Sequence, residues 1–344
     1  MAIASLVTGG AGFIGSHVAD ELLRMGHRVV ILDDLSGGNT DNVPAGATLE
    51  IGLVLDRAKI QSLFRQHRFD YVFHLAAYAA EGLSHFIKHF NFQNNLIGSV
   101  NLINASVNHQ VKCFVFTSSI AVYGTAQLPM TESTVPRPED SYGIAKYAVE
   151  LELEATQRMF GLDHIIFRPH NVYGERQNIG DKYRNVIGIF VNQIMQGKPM
   201  SIFGDGTQTR AFSYIADVAP VIARSIKVPA ARGQVFNVGA DTPYSINELA
   251  NAVAEAMGVS PEVVHLPPRE EVVHARCSHA KCRGVFGERR AVPLEVGLRR
   301  MAQWAKLVGP RRSRSFDQLE IVKNLPPSWA TELAGGPAPG TRGE

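Results

Sequence analysis

Residues 3–25 read IASLVTGGAGFIGSHVADELLRM. An apolar run, a set of spaced glycines and an amphipathic stretch follow one another without a gap. The run 3–8 has the composition of a buried strand, and 12–25 carries its apolar residues at helical spacing. Gly10, Gly12 and Gly15 satisfy G-x-G-x-x-G, while Gly9, Gly12 and Gly15 satisfy G-x-x-G-x-x-G. Glycines between a strand and a helix permit a tight turn, let backbone approach a pyrophosphate and let the helix pack closely on the strand. The helix start then offers unpaired N–H groups and the positive end of its dipole to phosphate. Spaced glycines alone also mark plain turns. The context sharpens the signal: a strand before, a helix after, and Asp33 closing the next apolar run, RVVILD at 28–33. A carboxylate there accepts hydrogen bonds from both hydroxyls of an adenosine ribose and repels a 2′-phosphate, so the expected cofactor is NAD rather than NADP. Asp34 beside it reads as a solvated neighbour.

The same alternation continues along the chain. YVFHLA at 71–76, KCFVFTS at 112–118 and HIIFR at 164–168 are further near-continuous apolar runs, and helical patterns lie at 57–67, about 84–109 and 141–160. Strands apolar on both faces, alternating with helices, predict an α/β fold: a Rossmann-like, doubly wound parallel sheet with right-handed crossovers. After residue 170 the pattern loosens. A helix near 185–196 stops at Gly197-Lys198-Pro199, MSIFGDG reads as a short strand and turn, and QVFNVG at 234–239 reads as another core strand. Ser245 and Glu248 form a capping box before an apolar-periodic helix. The expected organisation is a cofactor-binding domain, 1–170 plus about 213–240, interleaved with a smaller C-terminal substrate lobe, 171–212 and 241–330. Residues 331–344 read as a disordered tail.

The bulk numbers exclude several classes. With 344 residues, 45% of them hydrophobic, the chain has enough material for a large core. A formal charge of +2 gives no global case for nucleic acid or a membrane surface as partner. The late arginines (Arg289, Arg290, Arg299, Arg300, Arg311, Arg312, Arg314) read as a solvated face. MAIASLVTGG enters a strand at once, so no secretory leader is expected, and no apolar run is long enough to cross a bilayer. Three cysteines, an odd and low count, argue against a disulfide framework and point to a reducing, cytoplasmic setting.

SYGIAKYAVE at 141–150 places Tyr142 and Lys146 one helical turn apart on the same face. Together with TGGAGFIG, Asp33, HLAA (74–77), TSSIAVYG (117–124) and RPHNVYG (168–174), it resembles the extended short-chain dehydrogenase/reductases. Within them the chain is most similar to nucleotide-sugar 4-epimerases of the UDP-glucose 4-epimerase type, across roughly residues 3–305. The resemblance implies Ser119, Tyr142 and Lys146 as the catalytic set. It implies Gly9, Gly12, Phe13, Ile14, Gly15, Asp33, Leu53, Ala76, Ala77 and Asn95 as cofactor contacts, with Tyr142 and Lys146 also on that side. For a UDP-sugar substrate it implies Ser119, Asn171 and Arg210 on sugar and diphosphate, Phe203 beside the uracil, and Arg269 as a second phosphate ligand. A homodimer, joined through helices near 92–109 and 141–158, is implied as well. The chain departs from the family where Leu53 replaces an aspartate that touches adenine, and where Arg210-Ala211-Phe212 replaces Arg-Asp-Phe; Asp217 is retained.

What the resemblance implies chemically is an inversion at C4 through a 4-keto sugar. A free phenol ionises near ~10. A lysine ammonium and a positive nicotinamide beside it are expected to lower that value towards neutrality. Rivals lose a proton-transfer group: 4,6-dehydratases carry Asp-Glu where Ile120 and Ala121 stand, decarboxylases a glutamate there, and epimerases acting at other carbons a cysteine. A deoxysugar-forming reductase favours NADP, which Asp33 opposes. UDP-glucuronate and UDP-N-acetylhexosamine 4-epimerases remain alternatives, with Ala275 as a small pocket residue and Arg176 as a ligand for a sugar carboxylate or a surface group. A silent NAD-binding sensor is the alternative outside enzymes. His274, Cys277, His279 and Cys282 invite a zinc reading, but their spacing is not a standard zinc pattern, and no metal is expected.

Overall fold

Every strand of the main sheet lies parallel, which buries both of its faces and accounts for the unbroken apolar runs. In chain order the strands are β1 Ala4–Thr8, β2 Arg28–Asp33, β3 Thr48–Ile51, β4 Tyr71–His74, β5 Cys113–Thr117, β6 His164–Pro169 and β7 Gln234–Val238. They are arranged β3-β2-β1-β4-β5-β6-β7. The order reverses between β1 and β4, and such a reversal opens a crevice at the carboxyl ends of the strands. The computed structural model describes residues 2–268, 273–288, 290–312, 316, 319–326 and 329; Arg269, Arg289, Arg314 and the stretch 331–344 lie outside the described residues.

Helices cover both faces. On one, α1 (Phe13–Arg24) packs with a later helix, α6 (Ile215–Arg224), through Val18, Ala19, Leu22, Val218 and Ile222. On the other lie α2 (Arg57–His67), α3 (Gly98–Asn108) and α4 (Ser141–Phe160), which contribute Ile60, Leu63, Leu102, Ile103, Val149 and Leu153. Asp140 starts α4, its carboxylate accepting from the Gly143 N–H at 2.8 Å, and Gly161 ends it at φ 73°. The second part of the chain adds small sheets, one pairing Thr209–Ala211 with Pro243–Ser245 and His274–Ala275, another pairing Met200–Phe203 with Val263–Leu266. Among them stand α5 (Val186–Met195), α7 (Ile246–Met257) and α8 (Leu294–Val308), and the Ser245/Glu248 capping box forms as read.

One long helix expected at 84–109 is interrupted. A short turn at Glu81–Ser84 precedes a helix that begins at Lys88, widens into a π-turn at Gln93–Ile97 and becomes α3. The π-turn is accompanied by Asn95 facing inward, fully buried and hydrogen-bonded to the backbone of Tyr78. The far end of the chain also lies here. Glu320 accepts from the His89 and Phe90 N–H groups at 2.7 and 2.8 Å, capping the helix that begins at Lys88. Phe316 and Trp329 pack among Tyr78, Phe86, Phe90 and Tyr183. These residues, grouped by sequence with the substrate lobe, sit against the first half of the chain.

The tightest joint is in the opening loop. A Cβ on Gly15 would lie 2.1 Å from the Gly9 carbonyl oxygen, and one on Gly9, where φ is +69°, 2.8 Å from Ala76 Cα. Gly15→Ala is therefore expected to force α1 off β1 and to lower stability by about 1–3 kcal/mol. Urea unfolding measures this; a stability equal to wild type contradicts the contact.

Candidate functional site

Three loops meet at the carboxyl edge of the sheet: 9–12 after β1, 34–38 after β2 and 75–78 after β4. The β1 loop delivers α1 with Gly12 as an extended N-cap, φ −82° and ψ −175°, making no side-chain cap hydrogen bond. The first-turn N–H groups of α1 are thus available to an anion. Asp33 ends β2 with its carboxylate accepting from the Ala11 N–H at 3.0 Å and the Leu35 N–H at 2.9 Å. Burial raises its pKa above the usual carboxylate range, and the backbone N–H bonds oppose that rise. Ala76 lies directly against Gly9. Asn95 stands behind this wall: it accepts from the Tyr78 N–H at 2.9 Å and donates to the Tyr78 carbonyl at 3.1 Å and to Asn91 at 2.7 Å. It therefore positions Ala76, Ala77 and Tyr78 from the core side. Phe13 and Ile14 open α1 and pack on the core. Leu53 is 49% exposed, so the position that departs from the family pattern presents an apolar surface.

The second half of the site grows from β5 and α4. Ser119 caps a short 3₁₀ turn, Ile120–Tyr123, its hydroxyl accepting from the Ala121 N–H at 3.1 Å. Gly143 lets α4 press against that turn; a Cβ there would be 2.6 Å from the Ala121 carbonyl oxygen. This contact brings the Ser119 hydroxyl to face the Tyr142 phenol. Tyr142 takes further support from Ser84, whose hydroxyl accepts from its N–H at 3.1 Å. Lys146, 2% exposed, donates to the Thr117 carbonyl at 2.8 Å and lies 5.8 Å from the centre of the Tyr142 ring.

Sequence reasoning missed what continues this line. Glu150 sits one turn beyond Lys146, accepts from Ser118 Oγ at 2.5 Å and from Arg168 Nε at 3.0 Å, and is buried with that arginine. Two signals were present: the i, i+4 continuation of Tyr142 and Lys146, and an arginine closing the apolar run HIIFR. The electrostatic expectation for the phenol also changes. Burial comes first and pushes Tyr142 up, Glu81 and Asp140 push the same way, and Ser119 and Arg184 only ease it. Lys146 cannot supply a full cation, because burial lowers its own pKa to about 7 against the pull of Glu150. The chain alone keeps the phenol protonated.

Across the crevice, Asn171 (φ 41°) donates to the Ala211 carbonyl at 3.1 Å and so sits beside Arg210. Arg210 Nη1 is held by the carbonyls of Thr209 and Val273 at 2.9 and 2.8 Å. Phe203 ends its strand one turn away, its carbonyl accepting from Gln208 at 2.9 Å. Asn185, not anticipated, begins α5 at φ 56° and has a buried Oδ1 with no protein partner. Ala275 is buried and pairs in register with Arg210. Arg176 is tied to Asp20 of α1 at 2.6 Å, a tether rather than a pocket group. The HARCSHAKC residues separate. His274 meets Thr209, His279 meets His170 and Asp241, and Cys277 and Cys282 lie in different apolar clusters. Among the described residues, no group of three or more His, Cys, Asp or Glu side chains could hold a metal ion.

The residues fit a dinucleotide: an uncapped helix start behind a glycine turn too tight for side chains, a carboxylate closing β2, and a narrow wall of alanines after β4. Comparison with known proteins agrees. The sequence pattern described as the NAD dependent epimerase/dehydratase family matches residues 5–239. A UDP-glucose 4-epimerase of Mycolicibacterium smegmatis is 34% identical over 307 residues, covering 87% of this chain and 97% of that protein. The crystal structure of a UDP-glucose 4-epimerase with UDP-glucose from Thermotoga maritima superposes with a TM-score of 0.84 at 33% identity, covering 89% of this chain and 99% of that one. A Thermus thermophilus UDP-glucose 4-epimerase in complex with NAD gives 0.80 at 32% identity, covering 88% and 98%.

Folded Lys146 releases its proton near pH 7, whereas the unfolded chain holds it to 10.5. Between these values the unfolded state binds the extra proton, so stability rises with pH; below pH 7 the penalty of burying the cation is complete. NAD-free protein should gain up to about 1.4 kcal/mol per pH unit across that window from this group. Lys146→Met should remove that increment. Parallel urea titrations at several pH values compare the two slopes, and identical slopes contradict the assignment.

Proposed function

The chain belongs to the NAD dependent epimerase/dehydratase family, and we propose that Tyr142 is the acid/base with which it inverts C4 of a UDP-sugar. It is an enzyme of the nucleotide-sugar 4-epimerase type, and NAD is its cofactor. One observation carries the residue assignment: the Ser119 hydroxyl, the Tyr142 phenol and the Lys146 ammonium converge beside the dinucleotide crevice, held there by the Gly143 contact.

In this reading Tyr142 removes the proton from the C4 hydroxyl and later returns it, with Ser119 bridging sugar and phenol. Bound NAD would supply reversible hydride acceptance at C4 and would be unchanged after a cycle. Lys146 orients the cofactor's ribose. Burial raises the phenol's pKa, so a bound nicotinamide, when positively charged, would supply the charge that favours the phenolate. The 4-keto sugar has to turn over while its nucleotide stays put. Asn171, Arg210, Phe203 and, outside the described residues, Arg269 are assigned to that grip. The division of labour follows: 1–170 with 213–240 for NAD, 171–212 with 241–330 for the nucleotide-sugar, except that Phe316, Glu320 and Trp329 stand on the NAD side.

The small buried Ala275 beside Arg210 supports a pocket that admits a substituted hexose, such as an N-acetyl sugar or a uronate, as well as a plain one. A homodimer is part of the reading. Ile97, Ile144, Leu151, Met159 and Phe160 are exposed on the π-turn before α3 and on α4, where such an interface would bury them. No helix among the described residues is long and apolar enough to cross a membrane, and three free, buried cysteines suit a reducing cytoplasm.

Product analysis with UDP-glucose, UDP-N-acetylglucosamine and UDP-glucuronate identifies the sugar. Tyr142→Phe should lower turnover of the accepted substrate by roughly 10²–10⁴-fold; equal turnover removes the assignment. Phenolate absorbance should show Tyr142 ionising at lower pH when NAD is bound than when it is removed, and no difference contradicts the role given to the nicotinamide charge. Light scattering on Leu151→Glu should report a monomer where wild type is a dimer.

A further inference from the structure

Arg184 bridges a groove to whose walls it does not belong. In the sheet order, β2 and β4 flank β1, so the loops leaving their carboxyl ends stand on either side of the glycine turn. Both are pressed against it. A Cβ on Gly38 would lie 2.8 Å from the Ala11 carbonyl carbon, and one on Gly9 lies as close to Ala76. Arg184 comes from the segment between Tyr173 and α5, outside the three loops. Its guanidinium carbon lies 4.7 Å from the centre of the Tyr78 ring, on the β4 side. Its Nη2 lies 3.4 Å from where a Cβ on Gly37 would be, on the β2 side. A side chain that touches both flanks passes over the carboxyl end of β1 and the uncapped start of α1. In a sheet of this order that is where a dinucleotide places its pyrophosphate.

The sequence shows why a cation is wanted there. Residues 8–17, 33–42 and 75–84, which form the three loops, contain no lysine or arginine, but they do contain Asp33, Asp34, Asp41 and Glu81. A dianionic pyrophosphate in such surroundings meets backbone N–H groups and carboxylates, with no opposing side-chain charge from the loops themselves. Arg184 is held ready for that role. Asp181 takes its Nε at 2.6 Å and its Nη2 at 2.5 Å, which leaves the Nη1 donors unclaimed by that carboxylate. Tyr78, the platform beneath the guanidinium, is fixed through its backbone by Asn95. Gly37 leaves room for Nη2 on the other flank.

We propose that Arg184 is a clasp on the pyrophosphate of NAD, spanning the groove between Tyr78 and Gly37. A planar guanidinium can meet two phosphate oxygens at once, a geometry lysine cannot match. The cofactor leaves each cycle unchanged and has no need to exchange, so a clasp contributed from outside the three loops suits the chemistry.

The probes are ADP-ribose, which carries the pyrophosphate, and adenosine, which does not. Both are titrated calorimetrically into NAD-stripped wild type, Arg184→Gln and Arg184→Lys. Arg184→Gln should weaken ADP-ribose roughly 10- to 100-fold, as loss of a charge-assisted contact does, and leave adenosine unchanged. Arg184→Lys should recover part of the loss and stands in should the glutamine variant fail to fold. Retained adenosine affinity shows that the dinucleotide site itself is intact. Equal losses for both probes, or no loss for ADP-ribose, overturn the proposal.

Discussion

The carbonyl oxygen of Gly9 occupies the space that any side chain on Gly15 would need. That one contact sets the distance between β1 and α1, and through Gly9 against Ala76 it sets the distance to the loop after β4 as well. The cofactor crevice is consequently a by-product of backbone packing. Its width is fixed before any polar residue is placed, and the carboxylate of Asp33 then braces the turn through the Ala11 N–H. A crevice fixed in this way is rigid for the same reason a packed core is: relaxing it means moving whole elements.

Against that rigid wall the protein sets a line of buried charge. Lys146, Glu150 and Arg168 run from the phenol into the sheet, with Ser118 and the Tyr123 ring completing their surroundings. Breaking a buried pair by removing one partner leaves an uncompensated charge, so the line resists change more than its modest net contribution to stability suggests. Its effect on chemistry is indirect. Burial favours the uncharged forms of both Lys146 and Tyr142.

Much of this was legible in the amino-acid order. Strands apolar on both faces announce a covered parallel sheet, and β2, α2 and α4 fall where RVVILD, 57–67 and 141–160 were read. The glycine turn, Asp33, and the Tyr142/Lys146 spacing are local patterns, and local patterns survive translation into structure. What was hidden depends on environment. The interruption before α3 follows from Asn95 turning inward to serve Tyr78, a tertiary demand that periodicity does not encode. The direction of the Tyr142 shift depends on how deeply the helix face is covered, and spacing says nothing about desolvation. Arg176 and Arg184 look alike on paper, yet one is spent on Asp20 and the other reaches across the crevice.

Glu320 caps the helix at Lys88–Phe92 while Phe316 and Trp329 fill the aromatic cluster behind Tyr78. The chain thus returns to brace the segment that carries the alanine wall, since Glu320 and Phe90 are separated by 230 positions and Glu320 and His89 by 231. The closing stretch is therefore a keystone for the earliest-built part of the molecule. During synthesis the cofactor groove stays incompletely buttressed until Phe316, Glu320 and Trp329 have emerged, and a truncation that removes them acts at the heart of the enzyme rather than at its margin.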